Sequence, residues 1–339
     1  MTVIARDRAS ALVVMETASR EEVYPQHVVA AIERECRWVH PPVDRAFLLA
    51  NPGLLADVEY LLVGWGAPVL DDRLLGHAPR LKLVLMAAGS IRGIVTDDFW
   101  ARRIPIVSAA AANAIPVAEY TVAQTVLALK NSHRIAREMS RGAPWPPPAR
   151  SSIAGAYRRT VGLVALGAIG RLVVERLRAH DLNVIAHDPT FDPRDAGLSG
   201  VTPASLAEVF SSSDVVSCHL PLLDQTRGMI NGALLRSMKQ GGVFLNTARG
   251  AVVDEGALVE VLRERDDLTA VLDVTEDEVL PLTSPLRALP NVFLTAHTAG
   301  SHGQERWRLG ELVRDEIERH RRGEPLRHAV SEAASATRA

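Results

Sequence analysis

The sequence predicts an α/β fold with mostly parallel sheets, and three observations support this. Short apolar runs alternate with amphipathic, helix-like stretches through almost the whole chain. In the second half the apolar runs recur about every 20 to 30 residues, a spacing typical of repeated strand–helix–strand units. One of these runs ends in a glycine-containing turn that leads directly into a helix pattern, as the strands of parallel sheets often do.

The predicted elements divide into two series. In the first third, three apolar runs read as strands with helix patterns such as QHVVAAIEREC between them: ALVVME, VEYLLVGW and LKLVLMA. Residues 115–139 keep a helical period, which predicts one long helix that could span a domain junction. The segment RGAPWPPPARSS then predicts a stiff extended connector, because polyproline geometry excludes helix. A ligand for a proline-binding module is the other reading of this segment.

A second strand series follows the connector and ends before a charged amphipathic helix over 304–322, whose charges most simply form a solvated face. Its six apolar runs are TVGLVALG, LNVIAHD, DVVSCHLP, GGVFLNTA, LTAVLDV and NVFLTAH. With helix patterns between them, these runs predict repeated βαβ units.

Composition narrows the class of protein. The 339 residues are 47% hydrophobic, which is enough for packed cores, and the formal net charge of −2 provides no general attraction for nucleic acid or an anionic membrane. No apolar stretch is long enough to span a bilayer, and we expect no secretion signal in MTVIARDRAS, because it has too few apolar residues. Cys36 and Cys218 match no metal spacing and predict neither a disulfide framework nor a metal site. We expect a cytoplasmic protein.

The run TVGLVALGAIGR has the features of a phosphate-binding loop. A strand leads to Gly167, and Gly170 opens a helix, so backbone N–H groups and a helix N-terminus can face a pyrophosphate. The first glycine of the usual motif is replaced by Ala165, and a plain tight turn is the alternative. Asp188 ends the next strand about 20 residues on, where a carboxylate binds the adenosine ribose.

Asp188 also indicates which cofactor binds. A carboxylate accepts hydrogen bonds from the ribose 2′-hydroxyl but repels a 2′-phosphate, so NAD is expected and NADP is less favoured. Arg194 lies close in sequence and weakens this distinction. The alternative role of Asp188 is that of a turn residue, because Pro189 follows it.

Four later strands end in side chains suited to acid–base or anion chemistry: His219, Arg249, Asp273 and His297. Ligands of parallel α/β sheets bind beyond the carboxyl ends of the strands, so we expect these residues near the cofactor. An arginine grips a carboxylate bidentately and polarises a carbonyl, and a histidine can protonate an alkoxide. The pattern therefore predicts hydride transfer between a nicotinamide and a 2-keto acid.

Each of these residues also has a structural reading. Arg249 could form a salt bridge with Asp254 or Asp273, and His297 could be a satisfied histidine at a strand end. Asp254 is expected to be the N-cap of the helix that follows it.

From about Ser205 to Ser301, together with the loop LGAIGR, the chain resembles the D-isomer-specific 2-hydroxyacid dehydrogenase family. The segments that carry the resemblance are HLPLLDQTRGMI, MKQGGVFLNTARGAVVDEGAL, LDV with a glutamate five residues on, and LTAHTAG. The resemblance implies a catalytic trio of Arg249, Glu278 and His297, in which Glu278 orients His297. It also implies cofactor contacts by Ala165, Gly167, Ala168, Ile169, Gly170, Asp188, His219, Leu220, Pro221, Thr226, Thr247, Ala248, Asp273, His297 and Ala299.

The resemblance further implies a substrate site that includes residues of the N-terminal half. The backbone N–H groups of Gly89 and Ser90 match those that bind the substrate carboxylate, and Trp65 is expected to line the pocket or to be core packing. Arg92 stands where the family usually has aspartate, and it is either a second substrate anchor or an ordinary surface arginine.

The family's architecture implies two Rossmann-like or flavodoxin-like domains with parallel sheets, with the cofactor domain inserted in the middle of the substrate domain. The expected boundaries are 1–112 with 303–339 for the substrate domain and 113–302 for the NAD-binding domain. Family members are usually homodimers, so a homodimer acting on a small 2-keto or 2-hydroxy acid is expected. Two alternatives stay open: a non-catalytic NAD-sensing regulator, and a phosphite-type dehydrogenase of the same fold. Glu278 argues against formate chemistry, because formate-type members carry glutamine there.

Overall fold

The computed structural model describes residues 8–337 and divides the chain into two compact units. One unit comprises the residues up to Asn113 together with those from Ser301 onward, and the other runs from Ala114 to Gly300. The first division falls inside a helix, and each unit has its own parallel sheet.

All the ladders between named strands are parallel. The five strands of the first unit are β1 Ala9–Val14, β2 Cys36–Trp38, β3 Tyr60–Val63, β4 Leu83–Met86 and β5 Ile106–Ser108. The seven strands of the second unit are β6 Thr160–Val164, β7 Asn183–His187, β8 Val201–Pro203, β9 Val215–Cys218, β10 Val243–Asn246, β11 Thr269–Leu272 and β12 Val292–Leu294.

Strand order identifies both folds. The first sheet has the order β2-β1-β3-β4-β5, which is the flavodoxin-like arrangement. The second has the order β12-β11-β10-β9-β6-β7-β8, which is the doubly wound Rossmann order with one additional strand. The predicted fold class is therefore confirmed. In the second sheet the order reverses between β6 and β9, and ligands of such sheets bind at this point.

Helices connect the strands and cover the sheets. They are α1 Thr17–Val23, α2 Gln26–Glu35, α3 Arg45–Ala50, α4 Asp72–Leu75, α5 Asp97–Ala101, α6 Ala110–Leu129, α7 Ser132–Ser140, α8 Ala168–Leu177, α9 Leu206–Ser212, α10 Gly232–Arg236, α11 Glu255–Glu264, α12 Trp307–Arg322 and α13 Glu332–Thr337. Because helices lie on both faces, the central strands are buried along their whole length and read as continuous apolar runs.

Two predictions about the middle of the chain are wrong. The single helix expected over 115–139 is two helices, α6 and α7, because Asn131 has φ 52° and interrupts the helical backbone. The connector expected to exclude helix contains a 3₁₀ turn over Pro148–Ser152, where a proline in the first turn needs no amide partner. The terminal helix also begins later than expected, because residues Gly303–Arg306 form a 3₁₀ turn before α12.

Within residues 8–337, no helix combines the length and the apolar character that a bilayer span requires. In the same range, no cluster of three or more histidine, cysteine or acidic side chains is arranged to hold a metal ion.

Candidate active site

The glycine loop between β6 and α8 leaves open space at a helix N-terminus. Gly167 is the N-cap of α8, and a Cβ built there would have no other atom within 4 Å. Gly170 is the opposite case, since a Cβ there would overlap the carbonyl oxygen of Ala165. Ala165 has φ 76°, a left-handed conformation that glycine adopts more easily, which explains why glycine is usual at this position. The loop can therefore admit a pyrophosphate at Gly167.

The carboxylate of Asp188 fastens this loop to the end of β7. It accepts hydrogen bonds from the Leu166 N–H at 2.7 Å and from the Thr190 N–H and hydroxyl at 2.7 and 2.6 Å. Burial alone would raise its pKa, but these hydrogen bonds and the charge of Arg171 together lower the pKa of Asp188. Asp188 thus closes a turn and also presents an anion beside the glycine loop.

Two arginines near Asp188 are already paired. Arg171 on α8 lies 2.5 Å from Asp195, and Arg194 binds Asp192 with both carboxylate oxygens engaged at 3.0 and 3.1 Å. Each guanidinium therefore has a carboxylate partner within the protein. This arrangement disfavours a cofactor 2′-phosphate, which would need a cation to bind it.

Arg249 follows β10 and is half-buried. Its guanidinium donates to the Ala248 carbonyl at 2.6 Å, and within residues 8–337 no carboxylate lies within 4 Å of it. Burial lowers the pKa of Arg249, an effect partly opposed by the charge of Glu278. The salt bridges considered from the sequence are not formed, because Asp254 caps α11 through the Ala257 N–H and Asp273 bonds elsewhere. A half-buried cation without an ion pair suits an anionic ligand.

A close approach of two backbone segments explains why a glycine, Gly250, follows Arg249. A Cβ at Gly250 would overlap the carbonyl of Thr275 and the amide of Glu276. The backbone of residues 275–276, in the loop that leads to Glu278, therefore passes directly over Gly250, and only glycine permits that approach. The loop that carries Glu278 is in this way fixed beside Arg249.

His297 and Glu278 form a hydrogen-bonded pair at the protein surface. The imidazole Nδ1 lies 2.6 Å from Glu278 Oε1, and the side chains are 43% and 70% exposed. In the part of the chain described, the other ring nitrogen, Nε2, makes no hydrogen bond. His297 has φ 54°, and its N–H donates to the Asp273 carbonyl at 2.8 Å. Nε2 is thus free to exchange a proton with a ligand.

The buried carboxylate of Asp273 holds the loop in which His297 lies. It accepts from the Thr295 hydroxyl at 2.5 Å, the Thr298 N–H at 2.8 Å and the Ala299 N–H at 2.9 Å. Asp273 is thus engaged mainly with its own loop, although each carboxylate oxygen can accept further bonds.

The remaining predicted cofactor residues line the ends of β9 and β10. His219 is buried, with Nε2 3.1 Å from the Ser217 hydroxyl and with Nδ1 unpartnered among the described residues, and burial lowers its pKa to about 4. The Thr226 hydroxyl donates to the Pro221 carbonyl at 2.6 Å and closes the loop that also contains Leu220. Other members of the predicted set are Ala168 and Ile169 at the start of α8, and the buried Thr247 and Ala248 beside Arg249.

The predicted substrate residues of the N-terminal half belong to the other unit. Trp65 follows β3, and the Arg306 guanidinium lies 4.8 Å from the centre of its ring. Gly89 and Ser90 follow β4, and the Gly89 carbonyl accepts from the Ser108 hydroxyl at 2.5 Å. The Arg92 N–H donates to the Ser90 hydroxyl at 3.3 Å. These residues lie at the carboxyl ends of their strands, where this sheet too can bind a ligand.

Sequence reasoning did not identify the polar residues of α6. The Tyr120 hydroxyl lies 3.1 Å from the Thr295 hydroxyl, and the Thr121 hydroxyl lies 3.2 Å from that of Thr247. The signal present in the sequence was a set of polar residues, including Gln124, within an otherwise apolar helix, and the structure shows that Thr121 and Gln124 are buried.

Comparison with known proteins identifies the family. Residues 122–299 match the D-isomer specific 2-hydroxyacid dehydrogenase, NAD binding domain. The chain belongs to this family. Over 304 residues it is 33% identical to the (S)-sulfolactate dehydrogenase of Chromohalobacter salexigens, covering 88% of this chain and 96% of that protein. Its second unit therefore contains the family's NAD binding domain.

Two further members of the family extend the comparison. The chain is 35% identical over 313 residues to the D-3-phosphoglycerate dehydrogenase of Mycobacterium leprae, which covers 90% of this chain but only 57% of that protein. The chain thus spans little more than half the length of this relative. The NAD-complexed D-isomer specific 2-hydroxyacid dehydrogenase of Lactobacillus delbrueckii ssp. bulgaricus has a TM-score of 0.79 at 21% identity, covering 95% of this chain and 100% of that one. This likeness establishes the shared fold.

Proposed function

We propose that the protein is an NAD(H)-dependent oxidoreductase that interconverts a D-2-hydroxy acid and the corresponding 2-keto acid. The observation that carries the proposal is the half-buried guanidinium of Arg249, which has no carboxylate partner among the described residues, beside the hydrogen-bonded pair of Glu278 and His297. An anion-binding cation next to an oriented proton donor is what reduction of a keto acid requires.

In the proposed mechanism, NADH supplies the hydride when bound. Arg249 holds the substrate carboxylate through its planar fork and polarises the keto oxygen. His297 donates the proton from Nε2 to the developing alkoxide, and Glu278, 2.6 Å from Nδ1, fixes the tautomer and stabilises the imidazolium. In the oxidative direction the same imidazole accepts the proton.

The cofactor site is proposed to comprise the predicted set of residues around the glycine loop and the strand ends. The open space at Gly167 fits a pyrophosphate, and Asp188 fits the ribose hydroxyls. Asp273 retains acceptor capacity for the nicotinamide side. The paired arginines around Asp188 favour NAD over NADP.

The substrate is proposed to be a small 2-keto or 2-hydroxy acid bound partly by Trp65, Gly89 and Ser90. Relatives named for D-3-phosphoglycerate, (S)-sulfolactate and glyoxylate support this general class. We also expect a homodimer located in the cytoplasm, with no nucleic-acid or membrane partner, in keeping with the family and the net charge of −2.

The test measures NADH and NADPH consumption with glyoxylate, hydroxypyruvate, pyruvate, phenylpyruvate and branched-chain keto acids. Arg249→Gln should lower kcat/KM at least about a hundredfold, because the transition-state anion loses its cation. Arg263→Gln, which removes an exposed arginine of the same unit, is the matched control and should leave the rate unchanged.

Three results would contradict the proposal. An Arg249→Gln variant with the wild-type rate on every active keto acid would exclude Arg249 as the anchor. Tight NADH binding without turnover of any keto acid would favour the non-catalytic regulator, and turnover of phosphite would favour the phosphite-type alternative.

A further inference from the structure

Hydrogen bonds connect α6 to the buried carboxylate of Asp273 on one side and to α7 on the other. Asp273 accepts from the Thr295 hydroxyl at 2.5 Å, and that hydroxyl lies 3.1 Å from the Tyr120 hydroxyl. Gln124 lies one helical turn beyond Tyr120 in α6. The Gln124 carbonyl oxygen lies 2.7 Å from Nε2 of His133. All five side chains belong to the unit from Ala114 to Gly300.

The direction of these hydrogen bonds follows from the carboxylate. An ionised carboxylate only accepts, so Thr295 uses its single proton on Asp273 and must itself accept from Tyr120. Tyr120 has then used its proton on Thr295, and the Gln124 carbonyl oxygen, which can only accept, takes the Nε2 proton of His133. These hydrogen bonds are partly buried, and each fixes the orientation of the side chains that it joins.

His133 contacts β12, the strand that leads to His297, and Thr295 directly follows this strand. The His133 ring stacks on Phe293 with centroids 3.8 Å apart, and burial, followed by the charge of Arg137, lowers the pKa of His133. Arg137 also donates to the Val292 carbonyl at 2.5 Å.

Asp273 connects these hydrogen bonds to the loop that contains His297. Its carboxylate binds the N–H groups of Thr298 and Ala299, and its carbonyl binds the N–H of His297. His297 is held at φ 54°, a conformation that persists only when its surroundings determine it.

We propose that Tyr120 is a positioning residue that holds the 295–299 loop, and with it the His297 imidazole, in the arrangement required for proton transfer. The proposal rests on the function proposed above. Under this proposal the Tyr120 hydroxyl itself is needed, and not only the packing of the ring.

The test compares Tyr120→Phe with a matched control, Tyr60→Phe. Tyr60 lies in the other unit, and its hydroxyl lies 2.6 Å from Nδ1 of His320, so the control also removes one partly buried tyrosine–polar hydrogen bond. In hydrogen exchange, Tyr120→Phe should speed exchange of the amides of residues 297–299 about tenfold, and Tyr60→Phe should leave them unchanged. This readout needs no enzymatic activity.

The kinetic readout separates positioning from general destabilisation. Tyr120→Phe should lower kcat about tenfold while the KM for the keto acid stays within about twofold, because the anchor Arg249 is untouched. Thr295→Val breaks the same series of hydrogen bonds one step nearer Asp273, so the double variant should be no slower than Thr295→Val alone.

Unchanged exchange at 297–299 in Tyr120→Phe would overturn the proposal, as would faster exchange with wild-type kcat and KM. Additive effects in the double variant would also overturn it, because they would mean that the two hydroxyls act separately. A wild-type protein without activity on any keto acid would instead refute the proposed function, and the exchange measurement would still decide whether Tyr120 holds the loop.

Discussion

Alanine substitutions at the two glycines of the β6–α8 loop should have different effects: one should lower stability and the other should weaken cofactor binding. A Cβ at Gly170 would come closer than 3.0 Å to the Ala165 carbonyl oxygen, a separation that real Cβ atoms do not show. The loop cannot easily move away, because the Ala165 N–H bonds the His187 carbonyl at 2.8 Å and the Leu166 N–H bonds Asp188. Overpacking of this kind costs about 2 kcal/mol of the free energy of unfolding.

Gly167→Ala should instead leave the fold intact. Its new methyl group would meet no atom within 4 Å, and φ is −68°, so the only cost is a poorer N-cap, less than about 1 kcal/mol. The methyl group would occupy the space assigned to the pyrophosphate, and the Kd for NADH should therefore rise at least about tenfold.

Urea unfolding and a fluorescence titration with NADH measure the two quantities separately. We expect Gly170→Ala to shift the unfolding midpoint and Gly167→Ala to shift the binding curve. Wild-type NADH affinity in Gly167→Ala would refute the assignment of this loop as the phosphate site. Wild-type stability in Gly170→Ala would refute the close approach on which the stability estimate depends.

Three further changes test other parts of the structure. Asp195→Ala should raise the ratio of NADPH to NADH use about tenfold by releasing Arg171, whereas Glu264→Ala, which also removes an arginine's partner, should not. Burial lowers the pKa of His219 from 6.5 to about 4, so stability should be complete above pH 6.5 and fall by roughly 3 kcal/mol as the pH drops to 4. Urea midpoints for His219→Asn across this range should show a smaller loss. Asp254→Ala should cost about 1 kcal/mol by removing the N-cap of α11, measured by urea unfolding with an unchanged slope.

The strands of both sheets were largely predictable because buried parallel strands are continuous apolar runs between turn residues. The three that the sequence did not indicate, β2, β5 and β8, have only three residues each, whereas the equally short β12 was recognised from the longer run NVFLTAH around it. The break between α6 and α7 was also missed. It depends on the backbone conformation of Asn131, and apolar periodicity does not report on that conformation.

The candidate site was predictable in part. His219, Arg249, Asp273 and His297 were singled out because strand ends can be located from the sequence and their residue types are chemically specific. Glu278 came only from the family resemblance, since it lies in an irregular exposed loop without a pattern of its own. Their catalytic roles remain predictions.

The contacts of Tyr120 could not have been derived from the sequence. Residues 120 and 295 are joined through the tertiary fold, and nothing local to either residue indicates that the two hydroxyls meet. A buried polar residue in an apolar helix signals that a partner exists, but it does not identify the partner.

The backbone of residues 275–276 passes directly over Gly250, so the sequences of these two distant segments must remain compatible with each other. If this chain were recombined with a relative, a breakpoint between residues 250 and 275 would work only when the donor of the first segment also has glycine at this position. Apart from Glu278, the side chains of the loop after Val274 should therefore tolerate variation, whereas the backbone path of this loop should not.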